Sequence, residues 1–234
     1  MIRFILLDIE GTTTDIDFVH QVLFPYSAER LAQFVQTHSA DPSVQAALAD
    51  VKATVKDESN QSINDEQAVE TLLHWIQTDR KHGALKILQG MIWKTGFEQG
   101  DYQGHVYADV PEALERWKQQ GLQMGIYSSG SAQAQQLLFK YSCFGDLTSY
   151  FSHYFDTQVG GKKEVQSYHN IAQTLQIPAA EILFLSDVPA ELDAAKAAGF
   201  QVTQLIRSQN AEISHHPSVT NFAQLLNSPA NISL

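Results

Sequence analysis

Asp8 and Glu10 stand two residues apart at the end of the apolar run FILL, followed by Gly11 and three threonines. Three more stretches carry reactive groups: Ser128-Ser129-Gly130-Ser131, the lysines of FDTQVGGKKE (Lys162 and Lys163), and Asp187 after ILFLS. Together they suit phosphoryl transfer. Two carboxylates from separate strands can hold one Mg²⁺, a hard cation that prefers oxygen ligands and keeps waters for a phosphate. A carboxylate can also attack phosphorus and carry it as an aspartyl-phosphate. Serine hydroxyls and main-chain amides at a helix start suit phosphate oxygens. A lysine cancels the charge shared by nucleophile and transferring group.

Each stretch alone has a plainer reading. An acid after a strand is often a turn residue, SSGS can be a strand-to-helix turn with a serine cap, and Asp187 ahead of Pro189 can cap a helix. GGKK fails as a nucleotide loop, because Asp156 stands where its first glycine belongs and Lys163 takes the hydroxyl position. Lys163 reads as a solvated charge. His215-His216 lacks companions at zinc spacing and reads as a surface loop. His20 reads as packed or partly exposed. Trp75, Trp93 and the aromatic LFPY stretch read as core at helical spacing.

The elements that must position these groups follow from hydrophobic pattern. Residues 2–7 read as a buried strand. From about residue 20 to 100 the segments have helical length and spacing: HQVLFPYSAERLAQFVQTH, PSVQAALADVKATVKD, DEQAVETLLHWIQTDR and ALKILQGMIWKTGF. The third begins with a capping box, Asn64 with Gln67. After residue 105, helices alternate with the strands LQMGIYS, SHYFDT, EILFLSD and QVTQLIR. That alternation implies a parallel sheet covered on both faces. The expectation is an α/β fold: a Rossmann-like parallel-sheet core from 1–18 and 101–234, with an all-α cap, 19–100, inserted after the first strand. Ligands of such sheets bind beyond the carboxyl ends of the strands, where all four stretches lie.

Composition sets bounds. With 234 residues and 44% hydrophobic content the chain can bury a sizeable core. A net charge of −11 argues against nucleic acid or an anionic membrane as partner. The one cysteine, Cys143, excludes an internal disulfide framework, fits a reducing cytosol, and reads as a packing residue. No stretch reaches the roughly 18 apolar residues of a membrane helix, and the short N-terminal apolar run does not read as a signal peptide. The acceptor patterns at Asn60 and Asn231 carry no meaning in a cytosolic chain. A cytoplasmic monomer is expected.

The ordered set Asp8, Ser128, Lys162 and Asp187, with Glu191 four residues further, resembles the haloacid dehalogenase superfamily. DIEGTTTDIDFVHQVLFPY, IYSSGS, FDTQVGGKKE and FLSDVPAELDAA together look like the enolase-phosphatase family of methionine salvage, over nearly the whole chain. The superfamily's second acid is usually Asp; in the enolase-phosphatases Glu is normal there, so Glu10 favours the assignment. The resemblance implies enolisation of 2,3-diketo-5-methylthiopentyl-1-phosphate, then loss of phosphate to give an acireductone. It also implies one Mg²⁺, held by Asp8, Asp187 and the main-chain carbonyl of Glu10. Asp8 is then the nucleophile, and Glu10 serves either the leaving oxygen or the enolisation. Ser128, Ser129, Gly130 and Lys162 contact substrate, with Lys162 also catalytic, and Glu191 stands behind the metal ligands. The insert is expected to close over the crevice as a lid. Two other readings share the groups: a capped phosphatase of small sugar phosphates, and a receiver domain that retains phosphate on an aspartate. Receivers lack a helical insert after the first strand.

Overall fold

The computed structural model describes residues 1–226, so the Asn231 acceptor pattern lies outside the described residues. Strand β1 (Phe4–Leu7) consists of four fully buried side chains. Each such burial contributes roughly 1.5–3 kcal/mol, which anchors the strand at the middle of the sheet.

The chain then enters a helical unit, Asp17–Tyr102. A short helix α1 (Ile16–Phe18) and a π-helical turn, Val19–Leu23, lead into α2 (Phe24–Thr37). The hydrophobic pattern by itself suggests one continuous helix from His20. Pro25 supplies the reason for the difference: it has no N–H to donate and its ring crowds the carbonyl four residues back, so the preceding turn widens. Helices α3 (Pro42–Ser59), α4 (Asp65–Gln77) and α5 (Gly83–Gln99) complete the unit. Asp41 caps α3 through the Ser43 amide at 2.7 Å. The capping box of α4 forms, with Asn64 and Gln67 exchanging bonds of 3.0 and 2.9 Å. Leu31, Val44, Val51, Leu72, Trp75 and Leu88 form the unit's core. Of LFPY, Leu23 and Tyr26 are buried, Phe24 is half-buried and Pro25 exposed; Trp93, also half-buried, donates through Nε1 to the Leu23 carbonyl at 2.8 Å and stacks its ring on Phe24. His20 is exposed, edge-on to Phe24.

The second unit comprises Met1–Ile16 and the chain from Gln103 onward. Helix α6 (Val110–Gln119), β2 (Gln123–Tyr127), α7 (Ala132–Lys140), β3 (Phe151–Phe155) and α8 (Val165–Leu175) follow in order. Then come β4 (Ile182–Ser186), α9 (Pro189–Ala197), β5 (Gln201–Leu205), β6 (Ser218–Val219) and α10 (Phe222–Leu226). The six strands form one parallel sheet in the order β3-β2-β1-β4-β5-β6. Phe4 and Leu6 pack with Tyr168 of α8 and Leu192 of α9 on one face; Ile5 and Leu7 point to the other. Strand β6 and helix α10 had no sequence signal, being too short for a periodic pattern. They form because β5 offers an edge and because Phe222 packs on Trp117 of α6, ring centres 5.3 Å apart.

Cys143 corrects the sequence reading: it is exposed rather than packed, with its thiol 3.7 Å from the Val106 carbonyl. Among the described residues no helix is long and apolar enough to cross a membrane.

Candidate active site

Register decides which groups meet. Leu7 of β1 lies level with Ile126 of β2 on one side and Leu185 of β4 on the other. Asp8 therefore emerges between the ends of β2 and β4, with its amide bonded to the Leu185 carbonyl at 2.9 Å. A tight turn follows, in which the amides of Thr12, Thr13 and Thr14 all reach the Ile9 carbonyl. The Thr13 hydroxyl donates back to the Asp8 carbonyl at 3.1 Å.

The Asp8 carboxylate is buried, and both oxygens have partners. One accepts from Lys162 Nζ; the other lies 3.5 Å from the Ser186 hydroxyl. Lys162 is itself buried and also contacts Glu191 at 2.7 Å. Its main chain is fixed by the Tyr168 hydroxyl, which donates to the Lys162 carbonyl at 2.6 Å. Ser186 donates to Glu191 at 2.9 Å and accepts from the Val188 amide at 3.1 Å, so it holds Glu191 toward the lysine. Glu191 thus sits behind Asp8, paired to the ammonium.

On the other flank, Ser128 directly follows β2 and donates to Glu10 Oε2 at 3.2 Å. Its oxygen also accepts from the Gly130 amide at 3.1 Å, which folds the turn back on itself. Ser129 is exposed and Gly130 half-buried on this turn. Ser131 caps α7 by accepting from the Ala134 amide at 3.3 Å, so the plainer capping reading of SSGS also holds, one residue on. Asp8, Lys162 and Glu191 are joined by direct contacts, Glu10 and Ser128 form a second contacting pair that feels the Asp8 and Lys162 charges, and Asp187 follows Ser186 toward the turn at Gly11. Lys163 is exposed.

Asp187 comes so near the turn that a β-carbon on Gly11 would lie 2.3 Å from its Oδ2, and Gly11 has φ +76°. Both features exclude a side chain there. Gly11→Ala is expected to displace Asp187 or the turn and to cut turnover by about 100-fold or more, the scale of a misplaced catalytic group. Steady-state kinetics beside circular dichroism checks this, and near-normal turnover would refute it.

Negative charge exceeds positive at this site. Burial, and then the Asp8 carboxylate, push Asp187 and Glu191 each up to about 7. The same two causes raise Glu10. Burial acts to lower Lys162, but Asp8 and Glu191 outweigh it and hold the ammonium above its ordinary range. Asp187 Oδ1 is buried and has no hydrogen-bond partner, an arrangement that calls for an ion or a ligand. Carboxylate oxygens from Asp8 and Asp187 form a hard donor set, so the residues fit a small divalent cation.

A pH dependence follows. Carboxyls that titrate near 7 when folded and near 4 when unfolded make the metal-free folded state hold more protons between those values. Its stability then falls as pH rises through that window. The melting temperature without metal is expected to be several degrees lower at pH 8 than at pH 6, and Mg²⁺ to restore more of it at pH 8. An equal or larger Mg²⁺ effect at pH 6 would contradict this.

Several residues that shape the site escape a reading of the sequence. Arg207 donates to the Thr12 carbonyl through Nε at 3.1 Å and Nη2 at 2.9 Å, and its Nη1 pairs with both Asp109 oxygens at 3.0 and 2.9 Å. It thereby holds the turn after Asp8 from a strand end distant in sequence. Ser186 is readable as the last strand residue, but its bond to Glu191 is not. Tyr168 carries no signal beyond that of a core aromatic.

A family described as haloacid dehalogenase-like hydrolase matches residues 2–199. The chain is 52% identical over 226 residues to enolase-phosphatase E1 of Serratia proteamaculans, covering 96% of this chain and 97% of that protein. It is 48% identical over 225 residues to enolase-phosphatase E1 of Picosynechococcus sp., covering 96% and 98%. Among solved structures it is similar to the UTR4 protein of Saccharomyces cerevisiae, with TM-score 0.77, 37% identity, and 94% and 98% of the two chains covered. CbbY of Rhodobacter sphaeroides, in complex with phosphate, shares the fold at TM-score 0.62 and 15% identity, with 100% of each chain covered.

Proposed function

The chain belongs to the haloacid dehalogenase-like hydrolase family, in its enolase-phosphatase branch, and from that premise we propose how its own residues divide the two reactions. It is an enolase-phosphatase of methionine salvage; the substrate in this reading is 2,3-diketo-5-methylthiopentyl-1-phosphate. The observation that carries the site assignment is the buried Asp8–Lys162–Glu191 chain beside the partnerless Asp187 oxygen. One Mg²⁺ per chain, held by Asp8, Asp187 and the Glu10 carbonyl, would offset the charge of the phosphate and polarise the substrate's carbonyl oxygens.

In the first reaction a proton leaves the phosphate-bearing carbon and the neighbouring carbonyl oxygen gains one, giving the enol. In the second, an Asp8 oxygen bonds to phosphorus and the ester oxygen departs. Ser128, Ser129 and Gly130 line the phosphate oxygens, and Lys162 keeps the Asp8 carboxylate oriented and its charge balanced. Water then attacks the aspartyl-phosphate, releasing phosphate and restoring Asp8. Glu10, turned toward Ser128 rather than Lys162, is the side chain placed to supply or take a proton near the leaving oxygen or the carbon skeleton.

Incubation of the purified protein with the diketo phosphate and Mg²⁺ tests the function: enediol absorbance and inorganic phosphate are expected to rise together. Phosphate without enediol would mean another phosphate ester is the substrate. Glu10→Gln separates its two roles. A fall of about 100-fold in phosphate release from an already enolised analogue, the scale of a lost general acid, assigns it to the leaving oxygen. Full release from that analogue assigns it to the enolisation. For the place of action, a cytosol is the compartment that the single cysteine suits.

A further inference from the structure

His215 and His216 precede the short edge strand β6, and Asp193 lies on α9. Both histidines turn the same ring nitrogen toward one oxygen of that aspartate: His216 Nε2 is 2.8 Å and His215 Nε2 4.0 Å from Asp193 Oδ1. The donor atoms of the three residues lie within 4.8 Å of one another. We propose that Asp193, His215 and His216 form a second cation site, selective for zinc-class transition ions over Mg²⁺.

The spacing carries the argument. Ligands about 2.0–2.1 Å from a tetrahedral zinc stand about 3.3 Å from each other, a value bracketed by the two distances to Asp193. Two imidazoles and one carboxylate suit Zn²⁺, Co²⁺ or Ni²⁺, whereas Mg²⁺ selects oxygen donors. The proton between His216 and Asp193 leaves to solvent as the ion takes its place.

The loop is already held in shape. The His216 side chain is buried, and the residue's amide donates to Ser214 Oγ at 3.2 Å. Ser214 in turn donates through both its amide and its hydroxyl to Gln204 Oε1, each at 2.9 Å. Gln204 is fully buried in β5. Asp193 and His215 are exposed, which leaves a coordination position open to water or to a small anion. The site is distinct from the catalytic cluster, although Glu191 shares α9 with Asp193. Two residues along a helix turn the side chain by about 200°, so Glu191 faces Lys162 while Asp193 faces solvent.

The test uses the full, untagged chain with excess Mg²⁺ to occupy the carboxylate cluster. Zn²⁺ titration calorimetry is expected to give one equivalent bound, and Co²⁺ to develop ligand-field absorbance. His215→Ala and Asp193→Asn, both at exposed positions and with folding checked by circular dichroism, should each weaken Zn²⁺ by at least about tenfold and abolish the cobalt bands. The proposal is overturned if wild-type protein binds no Zn²⁺, or if both variants bind as wild type. It is equally overturned if binding is lost only in Asp187→Asn, which would place the ion in the catalytic cluster.

Discussion

Asp8→Asn is expected to lower phosphate release by on the order of 10⁴-fold or more, the scale seen when a nucleophile is removed. The amide nearly matches the carboxylate in shape, so the Ser186 contact and the main-chain bonds of the turn survive. What is lost is the oxygen that we propose bonds to phosphorus. The substitution also removes one charge from a site with surplus carboxylates, which offsets the weakened contact with Lys162. The variant should therefore melt within a few degrees of wild type. Phosphate assays with the enolised substrate, beside thermal melts, separate lost chemistry from lost folding. Turnover within about tenfold of wild type would exclude Asp8 as the group that carries phosphorus, because removing a nucleophile costs several orders of magnitude.

Lys162→Met should show the opposite balance, with a large loss of stability as well as activity. The ammonium is buried between Asp8 and Glu191. Removing it leaves two buried carboxylates facing each other without a counter-charge, a change that costs about 3–5 kcal/mol. For a chain of this length that corresponds to a fall in melting temperature of roughly 10 °C or more. A second substitution isolates the cause. Lys162→Met with Glu191→Gln neutralises one of the stranded acids, while the carboxamide oxygen that replaces the carboxylate can still accept from Ser186. The pair is expected to regain most of the lost stability and none of the activity, since the cation beside Asp8 is still missing. A single variant as stable as wild type, or a double variant that turns over normally, would refute the role assigned to the lysine.

Much of this protein was legible in one dimension, because its signals are local. FILL, QMGIY and ILFLS are apolar enough to read as buried segments, and each runs directly into a polar residue. Residues that close a strand or open a helix announce themselves by type, as Asn64 and Gln67 do at α4. Asp8, Glu10, Ser128, Lys162 and Asp187 likewise stand out as candidates by type and order. Tertiary structure decided which strand lies beside which, and hence that Asp8 and Lys162, 154 residues apart, touch. It decided that Glu191 serves the lysine through Ser186, that Arg207 braces the turn at Thr12, that β5 recruits β6, and that Pro25 widens the turn before α2. These outcomes depend on register and on packing between distant segments. A one-residue slip in a parallel pair turns every side chain to the opposite face, and nothing within a single segment records its partner's register.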